Sequence, residues 1–265
     1  MEYRRLGRTS ERISTVGMGT WMIGSYGNQQ EKAEQIRSIR RGIELGINLI
    51  DTAEMYGHGK SEELVGEAIA GQRDSVFIAT KVWPTHLRRD DVLAACDASI
   101  RRLGVRDVDL YQVHWPSAGV PIGETMAAME ELVRAGKVRY VGVSNFSVKQ
   151  TEDAREALAK SDLISNQVEY SVSNRSVEKD VLPYCGRERI TLIAYSPLAR
   201  GAIPETMIPQ ALREKYAMTP AQIMINWATR DEAVVAIPKA ARVNHVEENA
   251  ASVSVRFTRS EYDLI

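Results

Sequence analysis

Four residues that can jointly move a proton stand at the ends of apolar runs: Asp51 and Tyr56 in LIDTAEMYGHG, Lys81 in IATKV, and His114 in VDLYQVHWP. A phenol has a reference pKa of about 10, so unassisted it is a poor proton donor at neutral pH. A neighbouring ammonium lowers that value by favouring phenolate, and a carboxylate keeps the ammonium charged and in place. Tyr56 is then a tunable acid, Lys81 its tuner and Asp51 the anchor. A neutral His114 adds a hydrogen bond that orients the carbonyl oxygen receiving the proton. None of the four is a redox group, so a hydride has to come from a cofactor. Tyr195 offers a flat face for a nicotinamide ring, and Ser144, Asn145 and Gln167 offer the donors and acceptors that a carboxamide needs.

Taken singly, each residue has a bland explanation. Asp51 could cap a turn, Lys81 could pair outward, and a lone histidine after an apolar strand is more often a hydrogen-bonded core residue. Their joint placement points to one site, because a charged pair in a barrel mouth is costly without a partner and a job.

That placement needs a frame. Apolar runs of strand length alternate with amphipathic segments from about residue 16 to the end. The strand candidates are TVGMGTW, INLIDTAE, SVFIATKVW, VDLYQVHW, VRYVGVSNF, LISNQVEYS, ITLIAYSP and AVVAIPKA. Helix candidates between them include EKAEQIRSIRRGIELG, SEELVGEAIAG, RRDDVLAACDASIRRLG and GETMAAMEELVRAGK, several closed by Gly. Ser61 with the acids from Glu63 to Glu67, and Asp90 with Asp91, read as polar caps and acids at helix starts. This alternation predicts an α/β fold, a (β/α)8 TIM barrel, with residues 1–265 as one barrel domain. The stretch YRRLGRTSERIST reads as a short N-terminal β-hairpin around Gly7 to Ser10.

In such barrels the active site lies at the C-terminal strand ends. From the second strand onward, these ends release Asp51 and Tyr56, Lys81 and Trp83, His114 and Trp115, Ser144 and Asn145, Gln167 and Glu169, Tyr195 and Ser196, and Lys239. A doubly wound dinucleotide fold is the rival, because Gly17 and Gly19 begin a G-x-G-x-x-G. Met22 occupies the third glycine position and no helix opens there, so the fingerprint fails its structural test.

Composition narrows the partners. The 265 residues are 44 % hydrophobic and 26 % charged, with a formal net charge of -1, so nothing suggests a nucleic-acid footprint or a polybasic membrane surface. The N-terminus lacks the apolar core of a signal peptide, and no run approaches the roughly 18 apolar residues of a membrane span. A cytoplasmic protein acting on a small molecule is expected, as a monomer or weak homo-oligomer. Cys96 and Cys185 stand apart without a CxxC or CxxH neighbour, so neither a disulfide framework nor a metal site is expected.

The ordered motifs LGRTSERIS with VGMGTW, LGINLIDTAEMYGHGKSEELVGEAI, IATKV, VDLYQVHWP, MEELVRAGKVRYVGVSNFS, NQVEYS, AYSPLARG, TPAQIMINW and IPKAARVNHVEENAAS carry a resemblance. Through them the chain resembles the aldo-keto reductases over essentially its whole length. The resemblance implies a catalytic tetrad of Asp51, Tyr56, Lys81 and His114, with Tyr56 as general acid in carbonyl reduction, and NADPH bound in extended form without a Rossmann fold. It implies that Ser144, Asn145 and Gln167 hold the carboxamide and that Tyr195 stacks on the nicotinamide. Ser196, Leu198 and Arg200 should line the pyrophosphate, with Lys239, Glu248 and Asn249 near the adenosine end.

Two departures stand out. Many relatives carry Ser or Thr after the IPK lysine and an Arg six residues beyond it; here those positions are Ala240 and His245. A mostly neutral imidazole does not replace a bidentate Arg, but Lys239 and Arg242 keep positive charge there, so NADPH is favoured, with NADH the alternative. The segment between SPLARG and TPAQ is short and the chain stops at EYDLI, which predicts an open site. Trp21, Met55, Trp83 and Trp115 are the candidates for the substrate pocket wall, while Glu54 and His58 read as loop residues. Two other uses of the barrel compete with reduction. One is a sensor that keeps the cofactor as a ligand, and the other is a Schiff-base enzyme using Lys81, which pairing with Asp51 would disfavour.

Overall fold

All eight apolar runs contribute to one parallel sheet in a computed structural model that describes residues 1–202 and 207–265. Its strands are β3 (Met18–Gly19), β4 (Leu49–Asp51), β5 (Phe77–Val82), β6 (Val108–Val113), β7 (Val138–Ser144), β8 (Leu163–Glu169), β9 (Thr191–Tyr195) and β10 (Val234–Ala236), each paired with the next in chain order. The sheet curls until its edges meet. Parallel bridges join Val16 to Ala236 and Gly19 to Lys239, and the Gly17 N–H donates to the Ala236 carbonyl at 2.8 Å. The architecture is a (β/α)8 barrel.

The first strand is shorter than TVGMGTW suggests, and the reason is close approach. A Cβ on Gly17 would lie 2.8 Å from the Leu49 side chain, and one on Gly19 would lie 2.6 Å from the Ile237 carbonyl. Glycine lets the backbones meet where the barrel closes, and the chain leaves regular pairing there.

Helices cover the outside: α1 (Gln29–Glu44), α2 (Lys60–Ile69), α3 (Arg89–Leu103), α4 (Ile122–Arg134), α5 (Val148–Glu156), α6 (Val181–Glu188), α7 (Gln210–Tyr216), α8 (Pro220–Ala228), α9 (Val243–Ala251) and α10 (Arg259–Tyr262). Their ends obey local chemistry. Asn28 caps α1, Ser147 and Thr219 form capping boxes on α5 and α8, and Gly104 in the left-handed region (φ 64°) closes α3. Asp90 and Asp91 occupy the first turn of α3 as expected. Ser61 does not cap α2. Gly59 holds that position at φ 87°, and Ser61 lies buried inside the helix, donating to the Thr20 hydroxyl at 2.7 Å.

The predicted hairpin is present, with β1 (Tyr3–Arg5) antiparallel to β2 (Arg12–Ser14). Its Leu6 and Ile13 are fully buried and pack with Leu49, Leu110, Ile193 and Val235, so the hairpin closes one end of the barrel. The opposite end is left for the strand ends that carry the candidate chemistry. Residues 203–206, part of the short segment between SPLARG and TPAQ, lie outside the described residues. Among those described, no helix is long and apolar enough to cross a membrane.

Candidate active site

Strand parity explains why the charges converge. Asp51 ends β4 and Lys81 lies in the adjacent β5, both aimed into the barrel mouth with essentially no exposure. The Lys81 ammonium has three donors and finds three oxygens: Asp51 Oδ1 at 2.7 Å, the Thr52 carbonyl at 2.8 Å and the Tyr56 hydroxyl at 3.2 Å. Gln167 Nε2 donates to the other Asp51 oxygen at 2.7 Å. Burial alone would push Lys81 down, but Asp51 and Tyr56 outweigh it and hold the ammonium above its ordinary pKa. Asp51 is pushed up by burial and pulled back by Lys81 and by the Gln167 hydrogen bond. The buried pair thus has the partners that make it tolerable.

Tyr56 is presented by a strained turn. Gly57, His58 and Gly59 all adopt positive φ (60°, 54° and 87°), a conformation that costs His58 more than its glycine neighbours. The turn holds the phenol over Lys81, whose Nζ lies 4.8 Å from the ring centre. One expectation is corrected here. Lys81 does pull the phenol pKa down, but burial pushes it up by more, and the net direction is upward. The proton therefore stays on Tyr56 until something takes it.

His114 follows β6 and meets both flanking rings edge-on, Tyr56 at 5.8 Å and Trp83 at 5.1 Å between centres. Burial, with Lys81 adding to it, lowers its pKa to about 3. The imidazole is neutral at any physiological pH, and its buried Nδ1 has no partner among the described residues.

Ser144, Asn145, Gln167 and Tyr195 form one hydrogen-bonded cluster at the ends of β7, β8 and β9. Asn145, in the left-handed region at φ 64°, donates to the His114 carbonyl at 2.9 Å and to Ser144 Oγ at 3.0 Å, and accepts from the Tyr195 hydroxyl at 2.9 Å. Ser144 Oγ donates to the Gln167 carbonyl at 2.9 Å. Gln167 commits one N–H of its amide to Asp51, which leaves its second N–H and the acceptor Oε1 for a ligand.

Beyond Tyr195 the backbone turns through positive φ at Ser196, Ala199 and Arg200, a rare run for non-glycine residues and one suited to aiming N–H groups at an anion. Leu198 is partly buried beneath this turn, and exposed Arg200 lies over the Trp21 ring at 4.9 Å, reaching the loop after β3. Arg242 occupies the position just before α9, with Lys239 and His245 exposed on either side of it in sequence. Glu248 is engaged with Thr219, and Asn249 is buried. Of the proposed wall, Trp83 is half-buried against His114, while Trp21, Met55 and Trp115 are exposed. Both cysteines are buried, which pushes each thiol up to about 12, so they are inert.

Sequence reading missed Glu62 and took Glu54 only as a loop residue. Glu62 is fully buried, paired with Arg102 at 2.7 Å and accepting at 2.5 Å from the hydroxyl of Thr80, the residue that precedes Lys81. Glu54 bonds the Trp83 backbone. The available signal was an acid packed among inward-facing residues in DTAEMY, but spacing alone does not show which way a loop carboxylate turns.

Comparison with known proteins agrees with this geometry. The model of the aldo/keto reductase family matches residues 15–265. Methylglyoxal reductase YeaE of Escherichia coli (strain K12) is 37 % identical over 258 residues, which are 96 % of this chain and 90 % of that protein. A thermostable aldo-keto reductase solved with the inhibitor epalrestat superposes with a TM-score of 0.94 at 40 % identity, covering 100 % of this chain and 98 % of that one. An aldo-keto reductase from Klebsiella pneumoniae solved with NADPH gives 0.92 at 35 % identity, with 99 % and 93 % covered. With a closed barrel, a buried Asp51–Lys81 pair under a phenol, and likeness over nearly its full length, the chain belongs to the aldo/keto reductase family.

Proposed function

We propose that residues 1–265 form one barrel domain that reduces small aldehydes and ketones with NADPH, Tyr56 giving the proton to the carbonyl oxygen. The observation that carries this reading is the single ammonium of Lys81 shared between Asp51 and the Tyr56 hydroxyl. As the phenol gives up its proton, the adjacent cation stabilises the phenolate, and Asp51 keeps that cation charged and aimed. Neutral His114 can hydrogen-bond the carbonyl oxygen without competing as an acid. The same arrangement disfavours a Schiff base, since the Lys81 amine is protonated and fully engaged.

NADPH, when bound, supplies the hydride. The residues fit such a group: the amide-rich cluster of Ser144, Asn145 and Gln167 lies beside the half-buried Tyr195 ring, and the left-handed turn at Ser196 to Arg200 suits an anion. Lys239 and Arg242 bring two cations to the start of α9 for a 2′-phosphate. Of the relatives named above, one is a methylglyoxal reductase by name and another was solved with NADPH, which supports both halves of the reading. Titration with NADPH and NADH, followed by absorbance decay on adding a panel of small aldehydes, tests it. Tight NADPH binding with decay is expected. Binding without decay on any aldehyde would favour a sensor that holds the cofactor as a ligand.

A further inference from the structure

Glu54 lies between Asp51 and Tyr56 in the chain, yet its carboxylate is bonded to the neighbouring strand end. Its Oε1 accepts the Trp83 N–H at 2.6 Å and sits 3.0 Å from His86 Nδ1. The Glu54 side chain is 11 % exposed, so this is a largely desolvated carboxylate whose bonds are strong and whose loss would leave Trp83 without an acceptor. Trp83 is the first residue past β5 and leads into the 3₁₀ turn Pro84–His86. Its ring meets His114 edge-on at 5.1 Å, and His114 in turn meets Tyr56 at 5.8 Å. The contacts form a closed circuit from the Tyr56 loop through Glu54, Trp83 and His114 back to Tyr56.

We propose that Glu54 is a positioning residue for the carbonyl pocket, bracing Trp83 against His114 without touching substrate. The proposal rests on the reductase reading above. In the structure, Glu54 ties the loop after β4 to the loop after β5 and bonds nothing in the cluster of Ser144, Asn145 and Tyr195 at the other side of the mouth. Its effect should therefore fall on the carbonyl substrate and spare the cofactor. Glutamine at this position keeps an acceptor for the Trp83 N–H, whereas alanine removes it. His86→Ala leaves the Trp83 bond in place and should matter less than Glu54→Ala.

Amide hydrogen exchange of Trp83 tests the brace without any turnover, and steady-state kinetics tests its consequence. In Glu54→Ala the Trp83 amide should exchange at least about tenfold faster, while Glu54→Gln keeps most of the protection. For an aromatic aldehyde, kcat/KM should fall by about 10- to 100-fold in Glu54→Ala and recover largely in Glu54→Gln. The dissociation constant for NADPH should stay within about twofold. Trp83→Ala removes the braced wall itself, so adding Glu54→Ala to it should cost little more. Unchanged Trp83 protection, an unchanged kcat/KM, or fully additive losses in the double variant would each overturn the brace. A wild-type protein that reduces no carbonyl would overturn the reductase reading instead, and the exchange rates would still decide whether Glu54 holds Trp83.

Discussion

Two regions at the C-terminal strand ends of the barrel are built differently. At the end carrying Asp51, Lys81 and Gln167 the polar side chains are buried, and the ammonium and both carboxylate oxygens have hydrogen-bond partners between 2.7 and 3.2 Å. At the start of α9, Lys239, Arg242 and His245 are exposed, and among the described residues no hydrogen bond or ion pair holds the side chains of Lys239 or His245. Buried charges interact strongly and unforgivingly, whereas exposed ones act through screening water. On the proposed reading the first end would set the chemistry, and the second would set an affinity that salt can tune.

The sharpest way to break this contrast is Lys81→Met. It should lower turnover by about 10²- to 10⁴-fold by removing the cation beside Tyr56. It should also destabilise the fold by about 3–5 kcal/mol, because Asp51 would be a buried carboxylate without its partner. Chemical denaturation and steady-state assay check the two effects together. A stable variant would show that the pair matters only for chemistry.

Next in size is a pH effect. In the folded protein His114 titrates at about 3, against an ordinary value of 6.5, because burial disfavours the imidazolium. Between those values the unfolded chain binds a proton that the folded protein refuses. Stability from this source is full above the unfolded value and is lost as pH falls, by at most about 1.4 kcal/mol per pH unit. Denaturant midpoints of His114→Asn should accordingly fall less steeply than wild type on going from about pH 7 to about pH 5. Parallel slopes would contradict the buried neutral imidazole.

Smaller effects belong to the exposed end. Lys239→Ala and Arg242→Ala should each weaken NADPH by about 0.3–1 kcal/mol at low salt while sparing NADH, with the difference shrinking as salt rises. Glu34 makes a test of the opposite sign. It accepts the Val243 N–H at 3.2 Å at the start of α9, so Glu34→Gln should tighten NADPH by a few tenths of a kcal/mol. Calorimetry with both cofactors at two salt concentrations checks all three. A salt-independent difference would place the phosphate in a buried setting instead.

Much of this was readable before any coordinates. Parallel strands in chain order bring successive strand ends together, so Asp51, Tyr56, Lys81 and His114 could be placed in one mouth from spacing alone. What escaped reading depends on burial and on side-chain direction. The net shift of Tyr56 follows from how deeply the phenol sits, which outweighs the Lys81 pull. Gln167 turns its nitrogen to Asp51, Ser61 turns inward rather than capping α2, and Glu54 crosses to Trp83. Each has the composition of an ordinary polar residue, and only the packing around it selects one partner among several.

On the proposed reading Tyr56 delivers the proton and is not itself one of the residues that hold the cofactor. Single-turnover oxidation of pre-bound NADPH by an aldehyde, in wild type and Tyr56→Phe, tests it most directly. The account predicts that the variant binds NADPH with nearly unchanged affinity and loses about 10²- to 10⁴-fold in the oxidation rate. An unchanged rate in Tyr56→Phe, or a loss explained wholly by weaker NADPH binding, would contradict it.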